Sequence, residues 1–182
     1  MAFLCVHSGF LVLAVAAFFH TLSIASSYWA VVDDLNHSGL WLHCECDDCK
    51  FGGQSVCRGL SNVPGVLTGV RILAGASLSF ILIAYFLSVF GYVKARIRFT
   101  AAAAVVTLII AGALAASLAV YSVNYSRYAG FPKDDSGSLG WAFFLGCVGV
   151  VFHVIAASCF FAETVQAVRQ SRGYYPTENA LL

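Results

Sequence analysis

Residues 99–126 read FTAAAAVVTLIIAGALAASLAVYSVNYS and contain no Asp, Glu, Lys or Arg. A helix needs about 20 apolar residues to cross the hydrocarbon core of a bilayer, so this stretch is long enough to span it. Three more stretches are equally free of charge, at residues 1–32, 72–93 and 136–162. Within lipid a segment must satisfy its own backbone hydrogen bonds, as a helix does, and none of the four stretches alternates apolar and polar residues as a barrel strand would. The sequence therefore predicts four membrane-spanning helices.

The composition excludes a water-soluble domain. The chain has 182 residues, of which 60% are hydrophobic and only 10% are charged, whereas soluble domains carry about 25% charged residues. We predict one four-helix membrane domain over residues 1–162, followed by a polar tail at 163–182. The predicted spans cover about 8–27, 72–92, 99–121 and 139–162.

The first apolar stretch has a signal peptide as its alternative interpretation, since Ser23-Ile24-Ala25 could serve as a cleavage site. However, no positive charge precedes the stretch, and the apolar run over residues 9–25 is long for a signal sequence. A spanning helix is therefore predicted.

Basic residues near the helix ends predict the orientation, because Lys and Arg accumulate in cytoplasmic segments. Lys94, Arg96 and Arg98 lie between the second and third helices, and Arg169 and Arg172 follow the fourth. Both chain ends are thus expected in the cytoplasm of a multi-pass plasma-membrane protein. Residues 28–70 and 122–138 then form extracellular loops.

The acidic residues and the cysteines agree with this orientation. The two outer loops hold seven of the nine acidic residues, namely Asp33, Asp34, Glu45, Asp47, Asp48, Asp134 and Asp135. The first loop also holds Cys44, Cys46, Cys49 and Cys57, on the side of the membrane where disulfides persist. Asn36-His37-Ser38 is a glycosylation sequon in the same loop, with Asn36 as the acceptor.

The first outer loop is predicted to fold into a small antiparallel sheet. Residues 28–32 and 40–44 are rich in strand-forming types, and residues 33–39 between them are typical of a turn-rich link. Residues 51–54 predict a further reversal, and residues 55–58 a returning strand. A loop this small cannot bury enough core to be stable alone, so disulfides are expected to stabilise it. The predicted fold class is a membrane all-α four-helix bundle with a small extracellular antiparallel β-sheet.

The same loop carries a family resemblance. Trp29, Gly39-Leu40-Trp41, Cys44 and a later cysteine resemble the W-GLW-C-C motif of the claudin superfamily, which includes epithelial membrane proteins, peripheral myelin protein, the lens fibre membrane protein and TARP-like subunits. Arg71 stands where many members have an Arg at the entry to the second helix. Residues 121–125 and 140–146 resemble the epithelial membrane protein branch. The resemblance covers most of the chain except the tail and leaves the branch open.

The resemblance implies a disulfide between two loop cysteines, but this loop has four. We predict Cys44–Cys57 as the family-type bridge and Cys46–Cys49 as an added pair. Cys44–Cys49 with Cys46–Cys57 is the competing arrangement, since four cysteines allow three pairings.

The loop residues are compatible with other chemistry besides disulfides. The cysteines with His43 could hold zinc, and Cys46 with Cys49 could be a redox pair, but disulfides are favoured outside the cell. The acidic residues Asp33, Asp34, Glu45, Asp47 and Asp48 could form a charge-selective rim for cations, and a solvated rim is the plainer interpretation. No metal site and no cofactor are predicted.

Two histidines lie inside predicted helices, His20 in the first and His153 in the fourth. Ionisable residues within a membrane are functional candidates. Each is interpreted as solitary and able to be neutral, and we expect each to make a hydrogen bond to a neighbouring helix.

We find no catalytic constellation and predict no enzyme activity. The predicted function is a structural and adhesive membrane glycoprotein of cell–cell contacts that acts through its first loop and assembles laterally. The alternatives are an auxiliary channel or receptor subunit and a claudin that forms a paracellular ion path. The expected partners are further copies of the chain in the same or the facing membrane, other membrane proteins such as a channel, and lipid, with no nucleic acid. The C-terminal residues 179–182 are a candidate ligand for a PDZ domain.

Overall fold

The computed structural model describes residues 2–32, 36–46, 55–60, 65–94, 96–128 and 137–173. Four long helices dominate these residues: α1 (Ala2–Ala25), α2 (Gly65–Val93), α3 (Ile97–Tyr128) and α4 (Trp141–Gly173). Each helix contains a segment long and apolar enough to cross a membrane. The predicted four-helix membrane fold is thus confirmed.

The helices extend past the charge-free stretches that located them. α2 begins at Gly65 and α4 continues to Gly173, so part of the predicted outer loop and part of the predicted tail are helical. A change from apolar to polar residues marks where a helix leaves lipid, but it does not end the helix, because Glu, Gln and Arg are good helix formers.

The bundle is closed mainly by three helix pairs, α1 with α4, α2 with α3 and α3 with α4, and α1 touches α2 less extensively. The buried side of α2 shows the regular alternation of three- and four-residue steps that a helix presents to a coiled-coil-like neighbour. These residues are Leu67, Val70, Ala74, Ser77, Ile81, Ala84, Ser88 and Gly91.

Two small residues of α4, Gly146 and Gly149, bring α1 and α4 together. A Cβ added at Gly146 would lie 2.8 Å from Ser23 Oγ, and one at Gly149 would lie 3.4 Å from the backbone nitrogen of His20. In lipid, where apolar contact between helices brings no gain over contact with acyl chains, such close approach stabilises helix packing.

A five-stranded antiparallel sheet lies at one end of the bundle, which we call the sheet end. Its strands are β1 (Ala30–Val31), β2 (His37–Ser38), β3 (Leu42–Cys46), β4 (Ser55–Gly59) and β5 (Ser138–Leu139). They are arranged in the order β4-β3-β2-β1-β5. The first four strands come from the segment between α1 and α2, and β5 comes from the segment between α3 and α4.

Three of these strands were anticipated and two were not. β1, β3 and β4 fall within or overlap the predicted strands, but β2 lies in residues 33–39, for which only a turn-rich link was predicted. β2 and β5 have two residues each, which is too short for an alternating pattern to appear in the sequence. The reversal predicted at residues 51–54 lies outside the described residues.

Candidate functional site

Trp29 is the central anchor between the sheet and the helices. Its side chain is fully buried, and its indole Nε1 donates a hydrogen bond of 2.6 Å to the carbonyl oxygen of Ser23. The ring packs edge-to-face on Tyr121 of α3, with 4.9 Å between centroids, and on Phe143 of α4. The Trp29 ring thus connects the segment that follows α1 with both α3 and α4.

The Gly39-Leu40-Trp41 turn lies directly on the end of α1. The amide of Gly39 donates to the carbonyl oxygen of Leu42, and Leu40 is fully buried. A Cβ at Gly39 would come within 2.5 Å of the carbonyl oxygen of Ser26 and 2.6 Å of Ser27 Cα. Because both are backbone atoms, only glycine allows the turn to sit this close.

Trp41 and Arg71 fasten the same turn from its outer side. Trp41 Nε1 donates to the carbonyl oxygen of Ile24 at 3.0 Å, while the ring remains partly exposed. The Arg71 guanidinium lies over this ring, 5.3 Å from its centroid, and Arg71 Nε donates to the carbonyl oxygen of Leu40. Arg71 therefore combines a cation–π contact with a hydrogen bond to the turn.

A disulfide links Cys44 to Cys57. The two residues face each other directly across β3 and β4, and Cys44 is fully buried. This is the bridge that the family resemblance implies, and it rules out the competing arrangement that paired these cysteines with Cys49 and Cys46. The proposed Cys46–Cys49 pair is a prediction still, because Cys49 lies outside the described residues.

His37 lies beside this bridge. One ring nitrogen of His37 and the sulfur atoms of Cys44 and Cys57 all lie within 4.8 Å of one another, a spacing that could suit a metal ion. Both sulfurs are committed to the disulfide, so neither is a thiolate ligand for zinc. The His37 ring instead stacks on Tyr28 at 3.8 Å between centroids.

Of the five residues of the predicted acidic rim, only Glu45 lies among the residues that the structure describes. Glu45 is exposed, and its Oε1 lies 2.7 Å from Nε2 of His43. Asp33, Asp34, Asp47 and Asp48 lie outside the described residues, so the rim stays a prediction. Asn36 lies within the predicted turn-rich link, and its carbonyl oxygen accepts a bond from the amide of Val32. Its glycosylation also stays a prediction.

The segment between α3 and α4 completes the sheet, which the sequence did not reveal. β5 pairs with β1 through Ala30 opposite Leu139 and Val31 opposite Ser138. The amide of Gly140 donates to the carbonyl oxygen of Trp29 at 2.9 Å. A Cβ at Gly140 would collide with the carbonyl oxygen of Tyr28, so this glycine was the sequence signal for the close approach.

A second polar cluster, which we call the histidine node, lies inside the bundle and consists of His20, His153 and Ser77. His20 Nδ1 is 3.2 Å from His153 Nε2, and His20 Nε2 is 3.0 Å from Ser77 Oγ. All three side chains are fully buried. The interpretation of each histidine as solitary is wrong, because the two bond to each other, while the predicted helix-to-helix hydrogen bonds are present.

The comparison with known proteins agrees with this architecture. No curated protein sequence matches the chain. The family model described as the PMP-22/EMP/MP20/Claudin family matches residues 2–159, a range that contains the first three membrane spans, most of the fourth, the sheet and its anchors. The chain therefore belongs to the PMP-22/EMP/MP20/Claudin family.

Proposed function

We propose that this protein is a structural and adhesive protein of cell–cell contacts, and that its sheet is the contact surface. The proposal rests chiefly on β4, which forms one edge of the sheet. Among the described residues no strand pairs with its outer side. Val56, Cys57, Arg58 and Gly59 are all exposed along it.

An open edge strand presents unpaired backbone donors and acceptors to any strand that approaches. Addition of a strand from another chain is a common mode of protein recognition, in which backbone bonds supply affinity and side chains supply selectivity. β4 is held rigid by its five-residue pairing with β3 and by the disulfide. Little conformational entropy is therefore lost when a partner binds.

The proposed role places the sheet end outside the cell, at the plasma membrane. Two features support this orientation. Lys94, Arg96 and Arg98 lie at the opposite end of the bundle, between α2 and α3, as the positive-inside rule expects of a cytoplasmic segment. The disulfide lies at the sheet end, where an oxidising environment preserves it.

Lateral assembly in one membrane is the second part of the proposal. A groove between α3 and α4 is lined by three small residues of α3, Ala115, Ala119 and Ser122, and by the larger or apolar residues Leu118, Phe143, Cys147 and Val150. Small residues allow a neighbouring helix to approach closely in lipid. The groove thus suits a helix of a second copy.

Aggregation of suspended cells that lack junctions tests the adhesive role. Cells expressing the wild-type chain should aggregate, and Val56→Lys should abolish aggregation because a Lys on an edge strand opposes strand addition. Leu42→Lys is the matched control, since Leu42 is similarly exposed but lies in the inner strand β3. Aggregation by Val56→Lys cells at wild-type surface level would contradict the proposal.

Purification in mild detergent separates this proposal from the alternatives. Recovery of homo-oligomers supports lateral assembly, whereas recovery of a channel in fixed stoichiometry would replace the proposal with the auxiliary-subunit function. Freeze-fracture imaging of the same cells identifies strand-forming behaviour, and smooth membranes would count against a paracellular ion path.

A further inference from the structure

Three side chains with metal-binding atoms lie in one row across the sheet. His37 of β2 is directly opposite Cys44 of β3, and Cys44 is directly opposite Cys57 of β4. Directly opposite residues of an antiparallel pair project from the same face of a sheet. The close approach of the His37 ring nitrogen to both sulfur atoms thus follows from the register of three strands.

The imidazole of this row is held in place by aromatic stacking. His37 is 4% exposed, and its ring lies almost parallel to that of Tyr28, with 7° between the planes. Tyr28 stacks in turn on Trp141. Stacking engages the face of an imidazole, whereas both nitrogens lie on the edge of the ring. The stack therefore fixes the ring while one nitrogen stays near the sulfur atoms.

The two ends of the disulfide differ in their access to solvent. Cys44 is fully buried, whereas Cys57 is exposed on the edge strand β4. A thiolate breaks a disulfide by attacking one of its sulfur atoms, and access decides which sulfur is attacked. A reducing thiolate therefore attacks Cys57, and Cys44 leaves as a thiolate beside His37.

We propose that His37, Cys44 and Cys57 form a redox-controlled zinc site, which takes up Zn²⁺ when a dithiol reduces the bridge. One thiolate of the dithiol attacks Cys57 Sγ, and its second thiolate then displaces Cys57 from the mixed disulfide. The dithiol loses two electrons and becomes a disulfide, and its two protons pass to solvent. Both cysteine thiolates and one nitrogen of His37 then bind the ion.

The three donors suit zinc in type, spacing and charge. Zn²⁺ binds thiolate sulfur at about 2.3 Å and imidazole nitrogen at about 2.0–2.1 Å, so a tetrahedral site separates its donor atoms by about 3.5–3.8 Å. The three donor atoms already lie within 4.8 Å of one another, so modest side-chain shifts bring them to that spacing. Two thiolates neutralise the ion, which avoids the cost of burying a net charge.

The ion would change how the sheet is cross-linked. The disulfide joins β3 to β4, whereas Zn²⁺ also joins β2 through His37. The sheet thus keeps a cross-link in both redox states. Because Cys57 is exposed, water reaches the fourth position of the ion.

Cobalt binding to the full chain in lipid nanodiscs tests the site. Cys46→Ser and Cys49→Ser remove the other thiols of the loop, and a phosphine reduces the bridge. The reduced chain should bind one Co²⁺, with the visible absorption of a tetrahedral ion and a sulfur-to-cobalt charge-transfer band, and Zn²⁺ should displace it. The same chain with its bridge intact should show neither feature. Reduction that produces no such bands, or bands already present before reduction, would overturn the proposal.

His37→Phe in the same background tests the third ligand, since Phe keeps a ring to stack on Tyr28 but has no nitrogen. It should weaken Co²⁺ binding by the reduced chain at least about tenfold, the smallest loss usual even for residues that only support a ligand. His43→Phe is the matched control, because His43 precedes Cys44 in β3 and projects from the other face. It should bind Co²⁺ with unchanged affinity. Unchanged binding by His37→Phe, or equal losses in the two variants, would refute the site.

X-ray absorption of the zinc-loaded, reduced chain that retains His37 gives a result that does not depend on how the variants fold. The zinc should have two sulfur neighbours at about 2.3 Å and nitrogen or oxygen neighbours at about 2.0–2.2 Å. Zinc surrounded by nitrogen and oxygen alone, or by more than two sulfur atoms, would rule out the proposed ligands.

Discussion

Polar side chains join separate elements of the chain both at the sheet end and inside the helix bundle, but the two regions use different hydrogen-bond acceptors. At the sheet end, Trp29, Trp41 and Arg71 each donate to a backbone carbonyl oxygen. In the histidine node the two imidazoles bond to each other and to the Ser77 hydroxyl.

This difference in acceptors means that the hydrogen bonds of the sheet end do not depend on pH near neutrality, whereas those of the histidine node can. A backbone carbonyl is an acceptor at every pH, and neither an indole N–H nor a guanidinium loses its hydrogen near neutrality. An imidazole nitrogen is a donor or an acceptor according to its protonation. The sheet attachments should therefore depend less on pH than the bonds of the histidine node do. The following substitutions compare the two regions in order of expected effect.

Trp29→Ala should have the largest effect, since it removes a fully buried ring that touches α3 and α4. Loss of a buried Trp costs about 3–5 kcal/mol of unfolding free energy. Thermal unfolding in detergent measures it, and Trp141→Ala is the control, because that ring is half-exposed. Equal losses for the two variants would contradict the central role of Trp29.

Cys44→Ala should come next, because it opens the bridge between β3 and β4. A disulfide that closes a loop of about 15 residues contributes on the order of 3 kcal/mol, and the two cysteines are separated by 13 positions. We expect the variant to be retained in the secretory pathway, as measured by surface biotinylation. Cys147→Ala, which removes a thiol outside the sheet, should reach the surface, and normal delivery of Cys44→Ala would show that the bridge is dispensable.

Gly39→Ala should destabilise the protein by about 1–3 kcal/mol, the usual cost of forcing atoms into a packed site. The added methyl group would meet backbone atoms of Ser26 and Ser27 at 2.5 and 2.6 Å. Gly59→Ala is the matched control, because its Cβ would meet nothing within 4 Å. Denaturant titration compares them, and similar midpoints would show that the turn adjusts without cost.

Ser77→Ala should have the smallest effect, about 0.6 kcal/mol, the mean value for a side-chain hydrogen bond between membrane helices. The substitution removes the bond to His20 and leaves the sheet attachments intact. Ser158→Ala is the control, since Ser158 is exposed and donates only to the carbonyl oxygen of Val154 in its own helix. A loss for Ser77→Ala as large as that for Trp29→Ala would erase the contrast between the two regions.

The sequence was most informative where a property depends on composition alone. Absence of charge over a whole stretch reports burial in lipid, so all four helices could be located. Their ends could not, because α4 continues through Glu163 and Arg169 to Gly173, and such residues are as compatible with helix as with a polar tail.

The candidate site was predictable where the family motif applied and obscure elsewhere. Trp29, Gly39, Trp41, Arg71 and the Cys44–Cys57 bridge all lie at the sheet end. The pairing of His20 with His153 depends on how two helices rotate and pack, over a separation of 133 positions. The sequence around each histidine gives no indication of the other. The pairing of β5 with β1 likewise depends on a long-range contact, the approach of Gly140 to Tyr28.

The pairing of β5 with β1 has a consequence for how the four helices move. At the sheet end the covalent chain connects α1 to α2 and α3 to α4, but it makes no connection between those two hairpins. The backbone bonds of β5 to β1, and of Gly140 to Trp29, supply the missing link. The sheet thus joins the two hairpins, and any splaying of the bundle should begin at the opposite end, where among the described residues no strand pairing joins one hairpin to the other.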